Sequence, residues 1–217
     1  MKKFVQQAMI SPLAVGISSS GGSGDADELI VQMASGEPFS LKSDAVTKVT
    51  GDTFWGMQNL VEIDFPNAKI FNTELGYQSY IQRVSLASVE SIGRVTFQGC
   101  EDLQYVNIPK VTTIGEYAFA RCVSLESIDL PCAESIGEAA FAGCEKLTTV
   151  ILRTTSTVCV ADLTSFNSTP IMSGTGHIYV PSSMYEYYRA GYAEALGGDA
   201  YFNAIFRKKE DYPEICG

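Results

Sequence analysis

The sequence predicts an α/β solenoid: short, right-handed, with a parallel sheet on one face and a cap at each end. Three observations predict it. The stretch "TTIGEYAFARCVSLESIDLPCA" (112–133) is followed directly by "ESIGEAAFAGCEKLTTVILRTT", with phenylalanine, cysteine and leucine at the same offsets 22 residues later. The pattern runs through five consecutive segments, 47–68, 69–89, 90–111, 112–133 and 134–155. Within a segment, a stretch such as "LESIDL" alternates apolar and polar residues with the period of a half-buried strand.

Taken in chain order, the first element is a short arm. In "MKKFVQQAMISPLAVGISSSGGSG", Lys2 and Lys3 precede an apolar stretch as in a secretory signal, but Gln6, Gln7, Ser11 and Pro12 interrupt it. Residues 1–17 are therefore expected to be a retained arm that anchors the chain to another polypeptide. The Gly/Ser composition of 18–25 reads as a flexible linker. Residues 26–46 read as an N-terminal cap, with Phe39 and Leu41 facing the first coil.

The repeats occupy 47–155. One inward column holds Val49, Phe71, Ile92, Ile114 and Ile136; another holds Phe54, Phe97, Phe119 and Phe141; a third holds Met57, Cys100, Cys122 and Cys144. The strand columns are Leu60, Ile81, Leu103, Leu125, Leu147 and Ile63, Val84, Val106, Ile128, Val150. One segment cannot bury such a set alone. Stacked on neighbours, each column becomes a ladder and the ladders form one core. The "AF" portion is expected to be a turn or short helix opposite the sheet. Both ends of such a stack expose apolar cross-sections, so 156–217 is expected to form a C-terminal cap. It contains the strand "HIYV", then a helix from Met184 to about Leu196 started by a capping box of Ser183 and Glu186 and stopped by Gly197 and Gly198. Met184, Tyr188 and Tyr192 share a helical face that should pack on the last coil, which turns Tyr185 toward solvent. A second short helix is expected in "AYFNAIF".

With these motifs in hand, "SIGEYAFARCVSLESIDLP" resembles the BspA-like leucine-rich repeat family, or LRR type 5, whose pattern is roughly "IgxxAFxxCxxLxxIxLP". The last three segments match closely. The first departs, with Met57 for cysteine and Trp55 after the phenylalanine, and the second lacks the Phe and Cys columns and is one residue short. The stretch from "VILRTT" to "GTGHIYVPSSMYEYYRAGY", with the later "FRKKEDYPE", is similar to a C-terminal cap of phage and prophage proteins of gut bacteria. The resemblance implies a non-catalytic binding or structural protein. In one reading it is a bacteriophage virion component (fibre, spike or decoration subunit), oligomeric in its assembly, held through 1–17 by another virion or surface protein and attaching to a host surface protein or glycan. The alternative reading is a bacterial cell-surface or secreted adhesin.

Composition excludes other classes. The net charge is −10 and the basic run is confined to Arg207, Lys208 and Lys209, so phosphate-rich nucleic acid is not an expected partner. No run of 18 apolar residues suits a membrane span. Six cysteines without a CxxC pair, and the single His177, argue against zinc, and no cofactor is expected. The Cys100–Cys122–Cys144 column reads as core, because buried thiols behave as small hydrophobes. His177 has no evident nucleophile to serve, and the pairs Glu62/Asp64 and Glu126/Asp129 sit where outward strand positions must be polar, so no catalytic residue is assigned. Asn167 opens an "NST" sequon that reads as a loop turn.

What remains is the outward strand face. One row holds Glu62, Arg83, Tyr105, Ser127 and Thr149, and the next holds Asp64, Ser85, Asn107, Asp129 and Ile151. Solenoids bind extended partners on such faces. The contact candidates are Glu62, Asp64, Arg83, Tyr105, Asn107 and Asp129, with Trp55 and Tyr185 as further candidates.

Overall fold

The computed structural model describes residues 17–19, 38–51, 54, 57, 59–75 and 80–216. Most of the expected arm, residues 20–37 of the linker and N-terminal cap, and Trp55 lie outside the described residues. In chain order the strands are β1 (Ile17–Ser19), β2 (Phe39–Lys42), β3 (Val46–Thr50), β4 (Leu60–Asp64), β5 (Ile70–Asn72), β6 (Arg83–Ser85), β7 (Ser91–Ile92) and β8 (Tyr105–Asn107). They continue as β9 (Thr113–Ile114), β10 (Ser127–Leu130), β11 (Ser135–Ile136), β12 (Thr149–Leu152), β13 (Val160–Ala161), β14 (His177–Val180) and β15 (Phe206–Lys208).

The alternating stretches stack as anticipated. β2, β4, β6 and β8 pair in parallel in that order, and β10, β12, β14 and β15 form a second parallel set, with β8 lying beside β10. The strand β10 shows the pleat directly: Ile128 and Leu130 are buried, while Ser127 is exposed and Asp129 half-buried. A second line of short strands, not anticipated from the pattern, runs through the Val49–Ile136 column. It pairs β3 with β5, and β7, β9, β11 and β13 in series. The strand β1 closes its outer edge by pairing antiparallel to β3, so Ser18 and Ser19, at the start of the expected linker, are hydrogen-bonded in a ladder.

The segments around the phenylalanine column are turns, yet they too bond coil to coil. Phe97 N–H donates to Ala118 O at 2.7 Å, Phe119 N–H to Ala140 O at 2.8 Å, and Phe141 N–H to Ser165 O at 2.8 Å. Each coil therefore satisfies its neighbour's backbone on three sides, which buried peptide groups require. Inside, Phe54, Phe71, Phe97, Phe119, Phe141 and Phe166 form a continuous stack with successive centroids 5.9, 5.8, 5.1, 5.3 and 5.5 Å apart. Phe71 explains how the short second coil fits. It pairs with Val49 in the second line of strands, and its ring fills the gap left by the missing phenylalanine. Each ring is buried, a gain of about 1.5–3 kcal/mol apiece.

Two residue types owe their places to this close stacking. A Cβ added at Gly115 would lie 2.7 Å from Arg94 N, and one at Gly137 2.8 Å from Glu116 N. Only glycine lets the backbones approach that closely. The cysteine column is core, as the sequence suggested, and it is also a donor column. Cys122 Sγ donates to Phe97 O at 3.2 Å and Cys144 Sγ to Phe119 O at 3.1 Å, each in the preceding coil.

The stack ends by chemistry rather than by another coil. The outer edge of β13 presents backbone groups that a further strand would bond. Instead, Cys159 N–H donates to Tyr188 Oη at 2.9 Å and Ala161 N–H to Tyr192 Oη at 2.7 Å, while Tyr192 O–H donates to Cys159 O at 3.0 Å. Met184 and Tyr188 are buried, so the predicted helical face does meet the last coil.

The cap differs from expectation in three places. Its helix is Tyr185–Tyr192, and a looser turn carries the chain through Leu196 to Gly197 and Gly198, at φ 92° and 113°. The capping box does not form. The N-cap position falls on Met184 instead of Ser183 and has no side-chain cap bond, because a turn over Pro181–Met184 (Met184 N–H to Pro181 O, 2.9 Å) leads into the helix one residue later. Tyr185 is not turned to solvent. Its hydroxyl donates to Asn203 Oδ1 at 2.8 Å and its ring meets Phe202 edge-on, because the helix Asp199–Ile205 folds back over it. The exposed tyrosines of this region are Tyr187 and Tyr201.

Candidate functional site

In-register parallel pairing is what turns scattered outward residues into a surface. Ser40, Glu62, Arg83 and Tyr105 align across β2, β4, β6 and β8, and Lys42, Asp64, Ser85 and Asn107 align beside them. Five of the six predicted sheet-face candidates, Glu62, Asp64, Arg83, Tyr105 and Asn107, are thus brought together on one half of the face. Ser40 and Lys42, which lie N-terminal to the repeats, complete the cluster and were missed; the signal was their alternation with Phe39 and Leu41.

Glu62 is the centre of this cluster. It accepts from Ser40 Oγ at 3.0 Å, lies 2.8 Å from Lys42 Nζ and 3.7 Å from Arg83 Nε. The Lys42 hydrogen bond, helped by Ser40 and by the charges of Lys42 and Arg83, holds its carboxyl below the usual range against the opposing effect of burial. Arg83 lies over the Tyr105 ring, 4.4 Å from its centroid. Its side chain is 56% exposed, and its guanidinium makes no short hydrogen bond among the described residues. Asn107 Nδ2 donates to Ser85 Oγ at 3.2 Å, which orients the second row.

The sixth candidate, Asp129, sits apart. It lies on β10, in the other strand set, where Arg153 Nε reaches both its oxygens at 3.0 and 2.9 Å. On that half the outward positions Ile151 and Tyr179 are buried beneath Tyr212 and Cys216. The face is therefore open over β4, β6 and β8 and covered over β12 and β14. Trp55 lies outside the described residues, and Tyr185 is engaged in the cap as described above.

His177 ends the first row, in register with Thr149. Its Nδ1 lies 3.0 Å from Ala204 O, and burial, with the Arg207 charge, pushes its pKa down. That arrangement is a half-buried link between β14 and the cap. Among the described residues, no group of three acidic, cysteine or histidine side chains is placed to hold a metal. No helix of the described residues is long and apolar enough to cross a membrane.

Comparison with known proteins agrees with this architecture. The family model for the BspA type leucine rich repeat region matches in six copies, over residues 35–148 and 69–188. The match thus reaches beyond the five expected segments into both caps. No curated protein sequence matches the chain. Among solved structures, a leucine-rich repeat protein from Bacteroides ovatus is 27% identical, covering 70% of this chain and 39% of its own, with a TM-score of 0.53. A leucine rich cell surface protein from Faecalibacterium prausnitzii shares the fold at 20% identity, covering 68% of this chain and 43% of its own, with a TM-score of 0.54. This chain spans only about two fifths of the length of those two proteins. Repeat pattern, stacked coils and matched residues together establish that the chain belongs to the BspA-type leucine-rich repeat family.

Proposed function

We propose that this chain is a non-catalytic binding protein whose open half-sheet contacts a partner through Glu62, Asp64, Arg83, Tyr105 and Asn107. The observation that carries the reading is the Arg83–Tyr105 pair, stacked at 4.4 Å on an exposed face. Arginine and tyrosine dominate the energetics of protein interfaces, and a pre-stacked guanidinium has less side-chain freedom left to lose on binding. Glu62, itself bonded by Lys42, lies 3.7 Å from Arg83, so the cluster is partly ordered before any partner arrives. Leucine-rich solenoids use such faces for extended partners.

Two settings were expected. The bacterial surface is supported by the fold shared with a chain named a cell surface protein. The virion setting rests on the resemblance of the C-terminal cap to phage-borne proteins and on residues 1–17 as an anchoring arm. Mass spectrometry of purified phage particles for peptides of this chain separates the two. For the site itself, the test is the binding of fluorescently labelled chain to gut-bacterial cells and to cultured epithelial cells. The double variant Arg83→Ala with Tyr105→Ala should lose at least tenfold in apparent affinity with its melting temperature little changed. Undiminished binding by the folded double variant moves the contact to the cap or to the opposite side.

A further inference from the structure

The outward row that begins Lys42, Asp64, Ser85, Asn107 and continues with Asp129 turns apolar at Ile151 and Tyr179. Outward strand positions of a solvated sheet are polar, so an apolar pair there calls for a cover. The cover is the segment Tyr212–Cys216. Ile151, Tyr179 and Cys216 form a small buried cluster with Tyr212 packed against it, separate from the main core. The Tyr179 and Tyr212 rings meet edge-on with centroids 5.3 Å apart. The segment ends in one helical turn, Pro213–Cys216, that covers the apolar pair.

We propose that Tyr212–Cys216 is a strap over a second partner site, and that the site's external occupant is a short apolar peptide segment flanked by acidic residues. Charge complementarity defines that occupant. Residues 209–216 carry three acids, Glu210, Asp211 and Glu214, against one cation, Lys209, which lies 3.5 Å from Glu210. The sheet around it offers Arg153 and, in register beside Tyr179, Arg207. Arg153 is the clamp: it holds Asp129 and donates from Nη1 to Cys216 O at 2.8 Å. Once vacated, the same guanidinium meets a carbonyl or carboxylate of the incoming segment.

The strap is built to lift without disturbing the coils. Its other backbone bonds are local and reach no coil: Ile215 N–H and Cys216 N–H both donate to Tyr212 O at 3.1 Å, and Tyr212 N–H donates to Lys209 O at 3.0 Å. Ile215 remains 41% exposed. Just upstream, Glu210 is fixed by Ser182, whose N–H and Oγ both donate to its Oε2, at 2.8 and 2.6 Å. The pivot therefore falls at Asp211–Tyr212. Segments with few buried apolar contacts open at lower free energy than the core. This site lies on the covered half of the face and does not depend on the Arg83–Tyr105 reading.

The probe is a fluorescein-labelled synthetic peptide of residues 209–216, titrated by anisotropy in reducing buffer. It should bind full-length chain carrying Tyr212→Ala at least tenfold more tightly than the unmodified chain, and adding Ile151→Asp should remove that gain. Equal affinity for both chains, with circular dichroism showing the Tyr212→Ala chain folded, overturns the proposal. Hydrogen exchange on the unmodified chain tests it without any variant. Amides of Ile215 and Cys216 should exchange at least 100-fold faster than those of Val150 and Ile178; exchange at the core rate overturns a separately opening strap. A concentration-dependent dimer that exchanges straps between copies assigns the site to a second copy and overturns the external occupant.

Discussion

Cys122 shows how one side chain serves two needs of a stacked coil. It is small enough for a crowded column, and its thiol donates to the Phe97 carbonyl of the coil before. Burial pushes the thiols of Cys100 and Cys159 up to about 12, and that of Cys122 up as well, so these groups stay protonated at neutral pH. Cys132 alone among the six cysteines is exposed. Labelling the native chain with an aromatic disulfide reagent at pH 8 should therefore show one fast thiol, identified as Cys132 by peptide mapping, then a slower one at Cys216 as its segment opens, and all six after denaturation. Gly115 makes the packing argument at its sharpest. Gly115→Ala forces a Cβ into the Gly93–Arg94 backbone and should cost about 2–3 kcal/mol in chemical denaturation. Glu62 supplies a pH signature. Its folded pKa is depressed below 4.5, so its stabilising contribution is present above that value and fades as pH falls through the folded value. Glu62→Gln should therefore destabilise at pH 7 by no more than about 1 kcal/mol, with the difference from the unmodified chain shrinking as the carboxylate is protonated in acid and in high salt. The columns of Phe, Cys and Leu were legible because stacking demands the same residue type every coil. The reason for the glycines was not, since a 2.7 Å clash is a property of two backbones that sequence does not place.

At the scale of elements, the coil and its caps obey one rule: every strand edge must be met. Within the repeats the next coil meets it. At β13 the hydroxyls of Tyr188 and Tyr192 do so. Tyr192→Phe removes an acceptor from Ala161 N–H and a donor from Cys159 O, and should cost about 1–2 kcal/mol, read as a lower urea midpoint with unchanged slope. The helical face of Met184, Tyr188 and Tyr192 was readable from spacing, but the hydrogen-bonding role of its tyrosines was not. The failed capping box has a similar cause. The pattern Ser183–Glu186 is local, whereas the backbone turn that pre-empts it is set by how β14 hands the chain to the cap. Phe71 went unrecognised as a member of the phenylalanine stack because the second segment is one residue short. Its ring reaches the stack from a neighbouring column, a compensation visible only once the coils are superposed in space.

For the whole molecule, the outward face divides into two halves of different character. Over β4, β6 and β8 it is polar, pre-ordered and open; over β12 and β14 it is apolar and strapped. The first half was legible because its residues alternate in a regular repeat. The second was not, because residues 212–216 reach it from the far end of the cap. A net charge of −10 sets the wider context, with the exposed cations Lys42 and Arg83 standing on an acidic body. Long-range attraction will therefore be weak for acidic partners, and the recognition proposed at Arg83 and Tyr105 rests on close contacts. A photo-crosslinking amino acid placed at Tyr105, and separately at Thr113 on the second line of strands, tests this division on intact target cells. The account predicts a discrete crosslinked species from position 105, lost with Arg83→Ala, and none from position 113. Equal crosslinking from both positions, or from 113 alone, contradicts it.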